Sequence, residues 1–253
     1  FGICVLSYTN VAREEIEERL GNNAVGKILL GYPHFIGTFQ SFFDTFLALP
    51  WLRSNGFSVN MIDSDIVLSD RWNKLPYNIK YGLKMKRKDK KICTYSKELH
   101  KTRWNCNGKI EQAILRVIEE SQNEGNFTFE EMILYAREAL ESCMDIACGL
   151  QKRFPFVFVD EAQDTNSIYW ALIQNVFQKN GSVSVQQRFG DSNQAIYDYF
   201  AEENVGEFPG DNPLFMSKSH RFDDRIAKLA NTVAESQQSM SGTVNKFSTR
   251  KVC

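Results

Sequence analysis

The sequence predicts an α/β fold in which a parallel sheet carries helices on both faces. Apolar runs rich in β-branched and aromatic residues, at residues 3–8, 34–38 and 156–159, are typical of buried strands. Segments in which apolar residues recur at helical spacing separate these runs. Strands that alternate with helices favour a parallel sheet, because each helix returns the chain to the same edge.

The first part of the sheet domain is predicted at residues 1–50. ICVLSY is typical of a strand, and Thr9 and Asn10 can cap the helix VAREEIEERL, which Gly21 ends. HFIGT is predicted to form a short strand. An apolar helix, FQSFFDTFLALPWL, should follow it and end near Pro50, because proline lacks the backbone N–H that a helix needs.

Residues 51–125 differ in composition and are interpreted as a mainly helical, basic insertion. From Lys80 to Lys109 there are eleven Lys or Arg residues against two acids, with Lys86, Arg87 and Lys88 near the centre. Such a run is often only a solvated charged face, and an acidic protein partner is an alternative. We favour DNA contact, because basic groups neutralise phosphates while interleaved Tyr and Trp side chains can stack on bases.

The second part of the sheet domain is predicted at residues 126–253. Its helices are FTFEEMILYAREALES, SIYWALIQNVF and SHRFDDRIAKLANTVAES, and its strands are VFVD and SVSVQQRFGD. Both strands end in an acid, Asp160 in the first and Asp191 in the second. In α/β folds ligands bind at the carboxyl ends of the strands, so we expect a site there.

The composition is that of ordinary soluble globular protein. The chain is 43% hydrophobic and 24% charged, with a formal net charge of −1, so a polyanion must be bound by local patches. No apolar run approaches the ~18 residues of a membrane span. Phe1 opens what looks like the middle of a core strand and not a signal peptide, so we expect a fragment of a cytoplasmic protein.

Cysteine usage argues against a metal-stabilised fold. The six cysteines are scattered without a CxxC pair, which is typical of reduced thiols. Cys93, His100 and Cys106 offer three loosely spaced ligands, whereas structural zinc takes four in tight pairs. We do not expect a zinc site.

The acids after the VFVD strand suit nucleotide hydrolysis. Asp160 can hold Mg²⁺ through oxygen, and Glu161 can orient or deprotonate an attacking water. The alternative is an acidic turn that caps the following helix. On this pair alone the two interpretations stay open.

The end of the second strand strengthens the nucleotide interpretation. Gln194 follows Asp191 by three residues, and an uncharged amide can sense a phosphate without competing for the metal. Tyr197 and Tyr199 could stack on exposed bases at about 1–3 kcal/mol each. The alternative is that these aromatic residues are core, which we favour for Phe200.

Five segments, in order along the chain, resemble successive motifs of superfamily 1 DNA helicases of the UvrD/Rep/PcrA type. They are VLSYTNVAREEIEERL, FIGTFQSFF, FVFVDEAQDTN, GDSNQAIYDYF and SKSHRF. The resemblance covers roughly residues 3–50 and 126–235 and leaves the basic insertion unmatched. It implies a RecA-like fold, ATP and Mg²⁺ as cofactors, and single-stranded and duplex-junction DNA as partners.

The resemblance also implies roles for individual residues. Asp160 matches the Mg²⁺ carboxylate, Glu161 the catalytic base and Gln194 the glutamine that contacts the γ-phosphate. Arg221 matches the arginine finger, a suitable role because the guanidinium stays charged and forks onto phosphate oxygens. Where the family has asparagine and tyrosine before that arginine, this chain has Ser219 and His220. This difference removes no charge needed for hydrolysis and concerns only how the substrate is contacted.

Other matched positions belong to DNA binding. Tyr8 falls where the family stacks an aromatic ring on a base, and Tyr199 where it usually has tryptophan. Thr9, Asn10 and Thr38 match positions that touch the DNA backbone. The histidine common after the GT step of the second motif is Gln40 here.

The phosphate-binding loop of the family is not among the 253 residues. GNNAVGKI, residues 21–28, nearly spells GxxxxGK[ST], but Ile28 lacks the Mg²⁺-binding hydroxyl and the segment follows a helix. Lys27 is therefore interpreted as part of a solvated linker. In the family the loop lies upstream, so the intact protein is expected to be an ATP-dependent helicase or translocase and this chain alone inactive.

The insertion of about 75 residues is short for a repair helicase of this family. That compactness resembles the helicase-like subunit GajB of Gabija antiphage systems, which implies an antiviral role beside a nuclease subunit, GajA. The alternative function is a non-processive DNA- or nucleotide-sensing scaffold subunit of a nuclease complex.

Overall fold

The computed structural model describes residues 1–95, 108–178, 184–194, 208, 213–234 and 239–243. Short strands and eleven α-helices alternate along these residues. The strands are β1 (Ile3–Ser7), β2 (Phe35–Thr38), β3 (Met61–Ile62), β4 (Asn126–Phe127), β5 (Phe156–Val159), β6 (Val185–Arg188), β7 (Lys218–Ser219) and β8 (Ser241–Gly242).

The helices cover most of the described chain. They are α1 (Asn10–Gly21), α2 (Ala24–Leu29), α3 (Phe39–Phe43), α4 (Leu49–Ser54), α5 (Ser64–Lys74), α6 (Tyr77–Met85), α7 (Gly108–Asn123), α8 (Phe129–Ser142), α9 (Met144–Arg153), α10 (Ser167–Phe177) and α11 (Asp224–Val233). Short 3-10 helices span Lys90–Cys93, Ala162–Asp164 and Ser192–Gln194, and a π-helix spans Asp44–Ala48.

The central sheet has the strand order β2-β1-β5-β6, and β1 and β2 run parallel. β1 pairs with β2 in a register that puts Ser7 opposite Thr38. Between β5 and β6, Val185 donates to the Pro155 carbonyl and Phe189 to the Val159 carbonyl, so the pairing advances in the same direction on both strands. The predicted α/β fold is confirmed.

The end of the apolar helix was predicted wrongly, and so was the start of the helix SHRFDDRIAKLANTVAES, which begins only at Asp224 because Lys218–Ser219 form β7. The apolar helix does not end near Pro50 but continues to Ser54 as α4. Pro50 lies in the first turn of α4, directly after the π-helix that begins at Asp44. Proline is tolerated in a first turn because those N–H groups have no partner within the helix, and the π-helix resets the register just before it.

The chain divides into two compact units. The first comprises Phe1–Phe158 and Leu172–Gln186, and the second comprises Val159–Ala171 and Gln187–Cys253. The predicted insertion, residues 51–125, lies within the first unit. There the insertion has an apolar cluster of its own, formed by Leu68, Leu75, Leu83, Ile92, Cys93, Ile114, Val117 and Ile118.

A buried ion pair joins helix α5 of the insertion to helix α8. Arg71 and Glu131 both have no exposed side-chain surface, and their closest atoms, Nη1 and Oε1, are 2.6 Å apart. The guanidinium also donates to the carbonyls of Cys93 (3.0 Å) and Asn126 (3.1 Å). A buried charge persists only when it is paired and hydrogen-bonded, and this pair is both.

Candidate functional site

The two acids Asp160 and Glu161 directly follow the buried end of strand β5. Val157 and Val159 are completely buried, while Asp160 and Glu161 directly after them are half-buried. Two valines in the core fix the strand, so the next two side chains must leave the sheet at its carboxyl end. The 3-10 helix Ala162–Asp164 then turns the chain away.

Glu161 has an unusual backbone conformation. Its φ of 50° and ψ of 45° lie in the left-handed region, which costs a residue with a side chain of order 1–3 kcal/mol. The Glu161 carbonyl accepts from the Asp164 N–H at 3.0 Å, which closes the tight turn. Strain of this kind collects at functional sites, and here it falls on the predicted catalytic base.

Backbone hydrogen bonds hold the two strand ends together. Phe189 donates to the Val159 carbonyl at 2.8 Å, and Ala162 donates to the Phe189 carbonyl at 2.9 Å. The Phe189 peptide is thus pinned on both sides to the segment that carries the acids. Asp191, two residues further on, is consequently held beside that segment and not on a remote part of the sheet.

Gln163 bridges the two strand ends, and the sequence reasoning missed it. Its Nε2 donates to Glu161 Oε2 at 2.6 Å, and its Oε1 accepts from the Asp191 backbone N–H at 3.1 Å. A Cβ added to Gly190 would lie 2.2 Å from Gln163 Oε1, so glycine makes room for the bridge. The available signal was the glutamine inside DEAQD and the glycine before Asp191.

Gln194 lies in the same group of side chains. It ends the 3-10 helix Ser192–Gln194, and its side chain is exposed. Its Nε2 donates to Asp191 Oδ2 at 2.8 Å, while the Asn193 N–H donates to Asp191 Oδ1 at 3.0 Å. Asp191 therefore connects Gln194 to the Gln163 bridge, through its side chain on one side and its backbone N–H on the other.

A cation–π contact braces this strand end. The Arg188 guanidinium lies 4.8 Å from the centre of the Trp170 ring and 5.7 Å from that of Phe208. Partial burial lowers the pKa of Arg188 from its usual value. The contact fixes the last residue of β6 against the start of α10.

The predicted arginine finger lies in a separate turn. Arg221 is exposed between β7 and α11, and its backbone N–H donates to Ser219 Oγ at 3.1 Å. Among the residues that the structure describes, no ion pair involves its side chain. The structure therefore brings Asp160, Glu161 and Gln194 into one neighbourhood but does not join Arg221 to it.

The predicted DNA contacts of the first unit share one edge of the sheet. Tyr8, Thr9 and Asn10 follow β1, and Thr38 ends β2, its parallel neighbour. Thr9 caps α1 by accepting from Ala12 N–H, as predicted, and Asn10 is exposed. Thr38 is 9% exposed and its hydroxyl caps α3, so its freedom to bind a further partner is limited.

The remaining predicted DNA-binding residues divide into two groups. Tyr197 and Tyr199 lie outside the described residues. Lys86, Arg87 and Lys88 are all exposed just after α6. Arg87 has a left-handed backbone with a φ of 54°, and the Lys88 N–H donates back to the Leu83 carbonyl, which is the usual way to end a helix.

The donor set fits Mg²⁺ bound together with phosphate. In the described ranges, no group of three or more His, Cys, Asp or Glu side chains could hold a metal unaided. Mg²⁺ commonly takes only one or two carboxylates beside substrate phosphates and water, and Asp160 can supply that carboxylate. His100 and Cys106, which were considered for zinc, are not among the described residues, and Cys93 is buried.

The near-match to a phosphate loop has a different structure. Residues 24–28 of GNNAVGKI lie in helix α2 (Ala24–Leu29), capped by Asn23, where the sequence predicted a linker. Gly26 packs against the Leu20 backbone, and Lys27 is exposed. The segment joins two helices instead of linking a buried strand to one, so it cannot cradle phosphates as a phosphate loop does.

Comparisons with known proteins find DNA helicases among the relatives of this chain. The chain is 30% identical over 124 residues to DNA helicase II of Escherichia coli (strain K12), which is 47% of this chain and 17% of that protein. It is 26% identical over 111 residues to the ATP-dependent DNA helicase PcrA of Leuconostoc citreum, 42% of this chain and 14% of that protein. The chain thus spans less than a fifth of these relatives.

No helix in the described part of the chain has both the length and the apolar character needed to cross a bilayer.

The model of the UvrD/REP helicase N-terminal domain family matches residues 1–203, which include both strands that end in an acid. The chain therefore belongs to the UvrD/REP helicase N-terminal domain family.

Proposed function

We propose that this chain is part of a cytoplasmic, ATP-dependent DNA helicase or translocase that couples ATP hydrolysis to movement on single-stranded DNA. The observation that carries the proposal is the hydrogen-bonded group formed by Glu161, Gln163, Asp191 and Gln194. It puts a carboxylate suited to activating water and an amide suited to sensing phosphate on neighbouring strand ends.

In this proposal each residue has a distinct task. Asp160 would hold Mg²⁺, and the ion would supply positive charge beside the phosphates. Glu161 orients the attacking water and accepts its proton, and Gln194 contacts the terminal phosphate. Arg221, in its exposed turn, reaches the same phosphate once nucleotide is bound.

The proposed DNA path uses the edge of the sheet formed by β1 and β2. Tyr8 stacks on a base, while Thr9, Asn10 and Thr38 hold the backbone. The proposed insertion domain, residues 51–125, grips DNA through Lys86, Arg87 and Lys88, which are exposed and close together in the chain. Tyr197 and Tyr199 are proposed to add further stacking.

We further propose that the phosphate-binding loop is supplied by residues outside this chain, because no segment of the 253 residues matches the complete pattern of such a loop. The 253-residue chain alone should then hydrolyse ATP far more slowly than the full-length protein. A nuclease partner of the Gabija type, and with it an antiviral role, is the narrower form of the proposal, supported by the compact insertion.

The test is DNA-stimulated ATPase and strand-displacement activity of the full-length protein, with and without a co-purified nuclease subunit. We expect Glu161→Gln to abolish hydrolysis while ATP binding persists, and Glu119→Gln, an exposed substitution on α7, to leave both unchanged. Nucleotide binding without hydrolysis or strand displacement in the wild-type protein would favour a scaffold subunit instead.

A further inference from the structure

We propose that Gln163 is a positioning residue that holds the Glu161 carboxylate and couples it to the turn bearing Gln194. The inference rests on the proposed function, because it assigns Glu161 to water activation and Gln194 to phosphate sensing. What it adds is the connection between them. The structure provides a continuous path from Glu161 through Gln163 to the Asp191 backbone, and from the Asp191 side chain to Gln194.

The orientation of the Gln163 amide is determined by its two partners. An ionised carboxylate can only accept, so the NH₂ group must face Glu161, and a backbone N–H can only donate, so the carbonyl oxygen must face Asp191. Rotating the amide by half a turn would break both hydrogen bonds together. Gln163 therefore has one satisfied orientation, and that orientation requires both neighbours to be in place.

Packing leaves the bridge little freedom. A Cβ at Gly190 would lie 2.2 Å from Gln163 Oε1, 3.1 Å from Phe208 Cζ and 3.2 Å from the Ala162 nitrogen. These distances are shorter than side-chain atoms normally tolerate. A shift of the Gly190–Asp191 peptide would consequently displace the Gln163 amide, which in turn would move the Glu161 carboxylate.

Because the backbone of Glu161 is constrained, the hydrogen bond from Gln163 largely determines where the Glu161 carboxylate lies. Its left-handed conformation is held by the hydrogen bond from Asp164 N–H and by the pinned Phe189 peptide. With its backbone so constrained, Glu161 can move its carboxylate mainly by side-chain rotation. The 2.6 Å hydrogen bond from Gln163 selects one of those rotations. A movement at Gln194 can thus aim or release the group that activates water.

The experiment compares Gln163→Ala, Gln163→Glu and Gly190→Ala in the full-length protein. We expect Gln163→Ala to lower DNA-stimulated kcat on the order of 10- to 100-fold with KM for ATP within about twofold, because positioning matters for the chemical step more than for binding. The ratio of activity with and without DNA should fall as well. Gly190→Ala should reproduce this pattern by displacing the amide.

Gln163→Glu separates the two ends of the bridge. A glutamate can still accept from the Asp191 N–H but cannot donate to Glu161, so kcat should fall while hydrogen exchange of the Asp191 amide stays slow. In Gln163→Ala that amide should exchange faster. Gln178→Ala, a substitution of an exposed glutamine at the end of α10, is the matched control and should change neither readout.

The outcomes discriminate between the claims. Wild-type kcat and DNA stimulation in Gln163→Ala would overturn the inference, as would a loss of kcat in Gln163→Glu that is fully matched by lost thermal stability. Absence of ATPase activity in the wild-type protein would instead refute the proposed function and the inference with it. The exchange rate of the Asp191 amide tests the bridge itself without any hydrolysis.

Discussion

Glu131 is both a helix cap and the counter-ion of a fully buried arginine. Its carboxylate accepts two hydrogen bonds from the Arg71 guanidinium, at 2.6 and 2.9 Å. It also accepts from the Thr128 N–H at 2.9 Å, which completes a capping box at the start of α8, and from the Tyr95 N–H at 3.2 Å. One side chain thereby fixes the start of α8 and attaches α5 to it through Arg71.

Removing the arginine should therefore be costly. We expect Arg71→Met to lower the free energy of unfolding by about 3–5 kcal/mol, because it leaves Glu131 buried without its counter-ion. Lys74→Met, which breaks a partly exposed pair with Asp70 and Glu124, should cost less than about 1 kcal/mol. Urea unfolding of both variants gives the comparison, and equal losses would contradict the role assigned to burial.

Asp44 should make stability depend on pH. Burial raises the pKa of Asp44 to about 6, although the Gln40 amide, donating at 2.8 Å, acts in the opposite direction. The folded state thus prefers the protonated carboxyl, so this contribution is complete below pH 4 and is lost as the pH rises through 6. Asp44→Asn should stabilise the protein on the order of 2 kcal/mol at pH 7.5 and much less at pH 4.

Thermal unfolding of Asp44→Asn at the two pH values measures this difference. Glu119→Gln removes an exposed carboxylate and should show no comparable change between them. If Asp44→Asn gave the same stabilisation at both pH values, the effect would have to come from something other than ionisation.

Arg87→Gly should make the protein more stable. Arg87 occupies the left-handed position after α6, with a φ of 54°, where glycine has no steric penalty. We expect a gain of about 0.5–1 kcal/mol in urea unfolding. Lys86→Gly is the control, because Lys86 does not have a positive φ. A loss of stability in Arg87→Gly would contradict the backbone argument.

Reversing the basic group should change the salt dependence of DNA binding. Replacing Lys86, Arg87 and Lys88 by Glu should weaken binding and make the log–log salt slope shallower by about 2 to 3, because each phosphate contact contributes about 0.9 to that slope. Reversing the exposed residues Lys27, Lys152 and Lys228 changes the net charge equally and should leave the slope nearly unchanged. Equal effects would indicate a general charge effect and not a binding surface.

Elements set by local pattern could be predicted from the sequence. Helix α10 lies at Ser167–Phe177, the predicted SIYWALIQNVF, and β5 with its acids lies where the apolar run ended. The Thr9 cap was also predicted correctly. In each case the information lies within a few neighbouring residues, because periodicity and capping are local properties.

Features that depend on distant partners could not be predicted. Gln163 gains its place from Asp191, 28 residues away, and Arg71 from Glu131, 60 residues away. Neither of these hydrogen-bonded pairs can be recognised from the spacing of apolar residues in the sequence. The continuation of a helix through Pro50 depends on the π-helix before it, which helical spacing does not reveal.

The left-handed backbone of Glu161 has a consequence for protein engineering. Glycine at this position would relieve about 1 kcal/mol of conformational strain while deleting the carboxylate. A library screened for heat resistance alone would therefore enrich glycine there, in proteins that lack the proposed catalytic base. Under the proposed role of Glu161, directed evolution of the full-length protein must therefore score turnover as well as thermostability, because glycine at residue 161 improves the second and removes the first.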